Sequence, residues 1–302
     1  MGKRLGKKLF IGLSLALAAG SGALIFFTRP PLLVVTDDSF DVLYGRMRVW
    51  EELIRTSVRL WRPVKAVRIA ENAGADMVAF AIEDAAGGEG AGVLIPYRYY
   101  AGALRYSAQN PQVPVGVLGG RGAVQAGAPP PEAPIFIGTD SLSDLYKAGG
   151  AAAILAGEGR ILFFHGRDIT ERERGAFLQG LRDGSYNREP VFLPPGSEYN
   201  ALGDVSCAVL GAPAASFLDK HTNIPLILFS WADPALTPSN VYIIFDDSPW
   251  ALAPEAAKLI FSSRDRNAGA LFPSRVLFPL GRIAGAETLR KLKEVTRRAS
   301  AP

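Results

Sequence analysis

The sequence predicts an α/β protein of two similar lobes, each a parallel sheet flanked by helices, behind an N-terminal transmembrane or signal helix. Three observations predict it. From Leu32 onward, short apolar runs alternate with amphipathic stretches at helical spacing. That order builds parallel sheets with right-handed crossovers. The runs number about ten, too many for one comfortable sheet in a chain of 302 residues. Ahead of them lies an apolar run of 19 residues without a charge, Leu9 to Phe27.

That run comes after Lys3, Arg4, Lys7 and Lys8 and precedes Thr28, Arg29, Pro30 and Pro31. Basic residues before an apolar run favour a cytoplasmic N-terminus and export of the rest of the chain. Its length is close to what spans a bilayer. Small residues at Ala18-Ala19-Gly20 and Ser21-Gly22-Ala23 also offer cleavage sites. An uncleaved anchor through residues 9–27, a cleaved signal peptide and, least favoured, a buried helix of the folded domain all stay open. The anchor and the signal peptide each place the remainder on the periplasmic or extracellular face of the cytoplasmic membrane.

Charged residues are 21% and apolar residues 48%, a balance that folds around a core. The net charge of +4 equals the contribution of the four basic residues in the head. The remaining basic cluster is a C-terminal helix carrying Arg290, Lys291, Lys293, Arg297 and Arg298. This is no nucleic-acid footprint, and no nucleic-acid partner is expected. Cys207 is the only cysteine and sits in an apolar run, VSCAVL. It predicts a buried, inert thiol and no internal disulfide.

Leu32 to Val35 reads as the first strand, ending at Thr36-Asp37-Asp38-Ser39-Phe40. Asp38 or Ser39 can cap the following helix, whose apolar face includes Val49, Trp50, Leu53, Ile54, Val58 and Trp61. Pro63 to Ile69 alternates as a strand, and Ala73 to Ala86 is helical up to Gly87. Strands at 93–95 and 113–118 come next, the first running into Tyr97-Arg98-Tyr99-Tyr100, the second into Gly119-Gly120-Arg121. The block from Pro134 to Leu181 is strand, polar loop, helix, strand, polar loop, helix. Loops at the carboxyl ends of parallel strands are where open α/β sheets bind ligands. Beyond it come strands at 191–193, 205–210, 224–229, 241–245 and 275–278, and helices at 212–220, 249–261 and 287–298. Pro249 suits a first helical turn.

Enzyme motifs fail. Gly87 to Gly92 precedes a strand, not a helix, so it is a turn and not a phosphate cradle. There is no phosphate-loop lysine motif and no Gly-x-Ser-x-Gly elbow. His165 and His221 are the only histidines and lie at no zinc spacing. No cofactor, metal or catalytic residue is expected.

The stretch PIFIGTDSLSDLYKAGGAAAILAGEGRILFFHGRDITERERGAFLQGL resembles the middle of the type I periplasmic binding proteins and LacI-like ligand-binding domains. A lobe-crossing strand leads to a helix with a small-residue face, then a Gly-ended strand. An Arg-bearing loop then opens a helix with Phe-x-x-x-Leu, here Phe177 and Leu181. IPLILFSWADPALTPSNVYIIFDDSPWALAPEAAKLI resembles the family's later strand and second crossing. The resemblance implies three hinge crossings. One lobe would comprise 32–139 with about 247–273, the other 140–246 with about 274–302, after a head of 1–31. No helix-turn-helix precedes the domain; the apolar segment stands there instead, as in the exported members.

The resemblance also implies a site. Asp38 and Phe40 lie after the first strand, where the family places a polar or aromatic clamp; Tyr97 and Arg121 end later strands of the first lobe. Asp140 lies at the first crossing and Asp246 at the second. Arg172 or Arg174 matches the ligand-binding arginine, and Trp231 and Asp233 fall where the family has an Asp pair. Each has a plainer reading: a helix cap for Asp38, a dipole-complementing acid for Asp246, a solvated helix start for Arg172, a packed aromatic for Trp231. One departure matters. After the strand ending at Leu210 the family has a polar Asn-Asp, and here the chain reads Gly211-Ala212-Pro213. The implied function is non-enzymatic capture of a small polar ligand, with an ABC permease or a membrane sensor as partner. An interaction module with a degenerate ligand site is the alternative.

Overall fold

The computed structural model describes residues 24–39, 46–87, 92–119, 134–166, 169–194, 205–212, 214, 223–230, 240–262, 269–279 and 285–297. They form two six-stranded sheets. The first comprises β1 (Leu32–Asp37), β2 (Val64–Ile69), β3 (Gly92–Pro96), β4 (Val115–Leu118), β5 (Ile135–Thr139) and β11 (Ala270–Phe272). The second comprises β6 (Arg160–Phe164), β7 (Val191–Leu193), β8 (Val205–Leu210), β9 (Leu226–Phe229), β10 (Val241–Asp246) and β12 (Arg275–Leu277).

The strand orders are β11-β5-β4-β3-β1-β2 and β12-β10-β9-β8-β6-β7. Both have the same winding. The first strand of each half pairs with its second on one side and its third on the other, so each sheet reverses direction beside its first strand. All pairings are parallel except that of β12 with β10. Parallel strands buried on both faces explain the near-continuous apolar runs; β1 and β3 are buried at every residue.

Seven helices of the described residues cover the sheets: α1 (Arg46–Leu60), α2 (Ala75–Ala86), α3 (Tyr100–Gln109), α4 (Ser141–Ala156), α5 (Glu171–Asp183), α6 (Pro249–Ser262) and α7 (Ala286–Arg297). Alternate strand residues face opposite layers. Leu32, Val34, Leu94 and Ile137 pack with α1 and α6. Leu33, Val35, Val93 and Val117 pack with α2 and α3. In the second sheet Ile161, Phe163, Val209, Phe229 and Phe245 meet Leu145 of α4, Phe177 and Leu181 of α5 and Leu292 of α7.

Local chemistry sets the boundaries. Gly87 ends α2 in the left-handed region at φ 60°, with its N–H on the Glu83 carbonyl. Thr170 and Glu173 cap α5 reciprocally, satisfying two orphan N–H groups. The Ala-Gly face of α4 lets α5 approach closely: a Cβ at Gly149 would overlap the Phe177 carbonyl, and one at Gly180 the Tyr146 carbonyl.

The chain passes between the sheets three times: at Asp140 after β5, at Asp247–Ser248 after β10, and at Pro273–Ser274 between β11 and β12. Two elements were not foreseen, α3 and β11. The expected helix at 212–220 falls almost wholly outside the described residues. So does most of the apolar run Leu9 to Phe27; among the described residues no helix is long and apolar enough to cross a membrane.

Candidate functional site

β5 and β10 both leave their sheets at their carboxyl ends, so the passages run along the carboxyl edges of both sheets. Ligands of open α/β sheets bind at that edge, at the point where the winding reverses. In the first sheet this point lies between β1 and β3. In the second it lies between β6 and β8.

At the first switch point Asp37 ends β1 and the 3-10 turn Tyr97–Tyr99 comes directly after β3. The Asp37 carboxylate is buried. Its Oδ1 accepts from the Ser39 N–H at 2.9 Å and the Ser39 hydroxyl at 2.7 Å. Its Oδ2 meets the Tyr99 hydroxyl and an ion pair from Arg98. Arg98 also donates to Ser39 Oγ at 2.7 Å. The Tyr99 hydroxyl reaches the Glu71 carbonyl at 2.9 Å. Burial raises the Tyr99 phenol, Arg98 opposes that shift and Glu71 adds to it. The polar groups at this edge therefore satisfy one another.

Two groups beside the cluster point outward. Asp38 is exposed, and Tyr97 is 44% exposed. Tyr97 stacks on Tyr100 at 6.1 Å between ring centroids, and both lean on Phe136 of β5. Three aromatic rings thus pile up beside a fixed Asp–Arg pair.

At the second switch point His165 stands just after β6 and donates its N–H to Leu193 at 3.0 Å. Its Nδ1 lies 2.8 Å from the Gly166 carbonyl, and its ring packs near Phe163 and Phe192. Opposite it, Gly211 donates to the Phe164 carbonyl at 2.7 Å. A Cβ there would press on the Phe163 ring, so the position expected to be polar packs tightly without a side chain.

The passages are laced together. Asp140 caps α4 by accepting from the Ser143 N–H at 3.1 Å, while its own N–H donates to Phe272 at 2.8 Å. Asp246 is fully buried: Arg275 donates to its Oδ2 at 2.6 Å, and the other nitrogen of that guanidinium reaches Glu52 of α1 at 2.8 Å. Glu52, Arg275 and Asp246 therefore join a helix covering the first sheet to two strands of the second. Burial works against the Arg275 charge, and the two carboxylates outweigh it and raise its pKa. Beside them Asp247 accepts from Ser230 Oγ, and Ser230 Oγ accepts from the Asp247 N–H at 3.0 Å.

Of the residues that the sequence nominates, Asp38 and Tyr97 share the edge of the first sheet. Asp140 is a helix cap at the first passage. Asp246 is consumed by Arg275 in place of facing a ligand. Arg172 is exposed on the first turn of α5, while Arg174 stacks over Phe192 at 4.1 Å. Phe40, Arg121, Trp231 and Asp233 lie outside the described residues. The sequence reading missed Arg98, Tyr99, Glu52 and Arg275. Arg98 and Tyr99 carried a signal, a Tyr-Arg-Tyr directly after a strand. Glu52 and Arg275 carried none, being 223 residues apart. Among the described residues no group of three or more His, Cys, Asp or Glu is placed to hold a metal ion.

No protein-family model matches the sequence, and no curated protein matches it. Solved structures do match. An ABC transporter system solute-binding protein from Conexibacter woesei aligns over 89% of this chain and 95% of its own, with TM-score 0.60 and 12% identity. A transcriptional activator of the comK gene from Bacillus halodurans aligns over 89% of this chain and 96% of its own, with TM-score 0.59 and 11% identity. Two equally wound sheets with three passages at their carboxyl edges, and neighbours at this level, establish that the chain has the fold of the type I periplasmic binding proteins and LacI-like ligand-binding domains.

Proposed function

We propose that this protein is a non-enzymatic solute-binding protein that takes a small polar ligand between the carboxyl edges of its two sheets. The observation that carries the reading is the paired switch points. Asp38, the Asp37–Arg98 pair and the exposed Tyr97 ring stand at one, and His165 stands at the other. A ring-faced ligand would stack on Tyr97 and take hydrogen bonds from the polar edge. The three passages would act as hinges, and lobe closure would bury the ligand. Export behind the N-terminal apolar segment, and delivery to an ABC permease or a membrane sensor, complete the proposal. Enzymatic chemistry and nucleic-acid binding are not part of it.

A second reading has its own support. The buried acids Asp37 and Asp246 are spent on internal partners, and Gly211 offers no side chain where a polar one was expected. An interaction module that keeps the fold and has lost its ligand accounts for that pattern.

Thermal unfolding with sugars, nucleosides and amino acids separates the two. A ligand at 100 times its Kd adds about 2.7 kcal/mol to stability. A rise in Tm with one chemical class, abolished by Tyr97→Ala, supports solute binding. A flat response across all three classes favours the interaction module.

A further inference from the structure

The chain enters the first lobe through a strapped corner. Residues 24–28 make a helical turn, and Thr28-Arg29-Pro30-Pro31 carries the chain on to β1 at Leu32. Only these four residues separate the apolar run ending at Phe27 from a core strand. Two of them are prolines, which stiffen the link. Arg29 Nη1 donates to the Trp61 carbonyl at 3.2 Å, and Arg62 Nη1 donates back to the Pro30 carbonyl at 3.0 Å. Trp61 stands just past α1, at φ 50°, with its ring 5.7 Å from that of Phe26. The turn that carries it is fixed in its own right. The Arg62 N–H donates to the Ser57 carbonyl at 3.1 Å, and the Ser57 hydroxyl donates to the Arg62 carbonyl at 2.7 Å. The Arg62 guanidinium also lies 3.6 Å over the Phe261 ring, near the end of α6.

Two features of the corner look outward. Leu24, Ile25, Phe27 and Trp61 are 67%, 51%, 75% and 49% exposed. Beside them, Arg29 and Arg62 have backbone carbonyls and an aromatic ring as partners, and no acid among the described residues. Burial lowers the Arg62 pKa, and the nearby Arg29 charge lowers it further. Two guanidiniums set side by side favour an anion between them, and phosphate fits their fork geometry.

We infer that this corner is a rigid mount on the membrane, which seats the amino edge of the first sheet on anionic lipid headgroups and holds the second sheet away from the bilayer. The apolar side chains and Trp61 enter the interface, where indoles concentrate. The Arg29–Arg62 pair takes a lipid phosphate. The two arginine straps make the junction a mount and not a loose tether. β1 runs six residues from this corner to Asp37, so the carboxyl edge stands about 20 Å further out along the strand. Glu83 and Asp84, exposed near the end of α2, lie at the same amino edge on the opposite face of the sheet from α1 and α6. The lobe therefore leans on its α1–α6 side. The inference rests on the proposed export behind the apolar segment, with that segment uncleaved.

The test uses the full chain in vesicles. A bimane label is placed on Ser262→Cys, at the end of α6, or on Met77→Cys, at the start of α2 and the opposite edge of the same lobe. Both positions are exposed, and Cys207 is buried and stays unlabelled. A lipid with a spin-labelled headgroup should quench Ser262→Cys several-fold more than Met77→Cys. The difference should shrink when phosphatidylcholine alone replaces a mixture with phosphatidylglycerol. It should vanish in the pair Arg29→Gln and Arg62→Gln, while flotation with vesicles and the circular dichroism spectrum stay unchanged. Equal quenching of the two labels in the parent protein overturns the mount and leaves the anchor standing. So does a difference that survives the glutamine pair or is as large in neutral vesicles. Inorganic phosphate that abolishes the difference, where sodium chloride of equal ionic strength does not, assigns the arginine pair to a free anion and overturns the lipid contact. A chain that does not float with vesicles overturns anchor and mount together.

Discussion

Ser274 donates its backbone N–H to both carboxylate oxygens of Asp144, at 3.0 and 3.1 Å. Asp144 stands in the first turn of α4, just after the first passage, and Ser274 is the third passage itself. One buried side chain thus ties two of the three connections together. Burial pushes the Asp144 carboxyl up to about 7, although the Ser274 hydrogen bonds and Lys147 pull it down.

This fixes the sign of the pH effect. In the unfolded chain an Asp loses its proton near pH 4. In the folded chain Asp144 keeps it to about 7. Between those values the folded state binds more protons, so stability falls as pH rises. Above pH 7 the loss is complete, on the order of 2–4 kcal/mol. Asp144→Asn keeps an acceptor for Ser274 and has no charge to bury. Urea unfolding at pH 5 and pH 8 should show the variant nearly level and more stable than the parent at pH 8. An unchanged slope would refute the assignment.

Arg275 neutralises two buried acids at once, so Arg275→Met should be among the most damaging single changes. It removes the Arg275 cation from fully buried Asp246 and leaves Glu52 with Arg55 alone, at about 3–5 kcal/mol. Glu52→Gln is milder, about 1–2 kcal/mol, because an amide oxygen still accepts from the guanidinium. A double-mutant cycle on Glu52 and Arg275, read by denaturant titration, should give a coupling above about 1 kcal/mol.

Two glycines of α5 should respond oppositely to alanine. At Gly180 the added methyl meets the Tyr146 carbonyl, backbone that cannot step aside. Gly180→Ala should cost about 2–3 kcal/mol. At Gly175 nothing lies within 4 Å of the new atom. Gly175→Ala should stabilise by about 0.5–1 kcal/mol, through helix propensity. Thermal melts of the two variants give the comparison directly.

Cys207 is fully buried among β-strands, and burial pushes its thiol up. A thiol reagent should leave the native protein unmodified and label it only as fast as it unfolds. Rapid labelling under native conditions would show that the second sheet opens locally.

Much of the fold was legible because its central strands are buried on both faces. Runs such as LLVVTD and RILFF leave little choice of assignment. α3 was not legible, since Gly102 sits inside it and its tyrosines show no clean stripe. Its reason is tertiary: Gly102 lies where a side chain would strike Val78 of α2. β11 has three residues and exists only through its pairing with β5. The site was less legible. Two adjacent acids, Asp37 and Asp38, look alike in sequence, and only the position of Arg98 and Tyr99 decides that the first turns inward. Asp246 reads as a cleft acid until a guanidinium from 29 residues later is placed on it.

The short link Pro273–Ser274 joins β11 of one sheet directly to β12 of the other. Among the described residues each sheet therefore receives its sixth strand within the same short segment, 270–277. During synthesis the sixth strands of the two sheets emerge together, although the first five strands of the first sheet emerge much earlier. A ribosome that stops just short of Ala270 would release two sheets, each lacking an edge strand. Quality control would meet them as one defect, not as one sound domain and one faulty one.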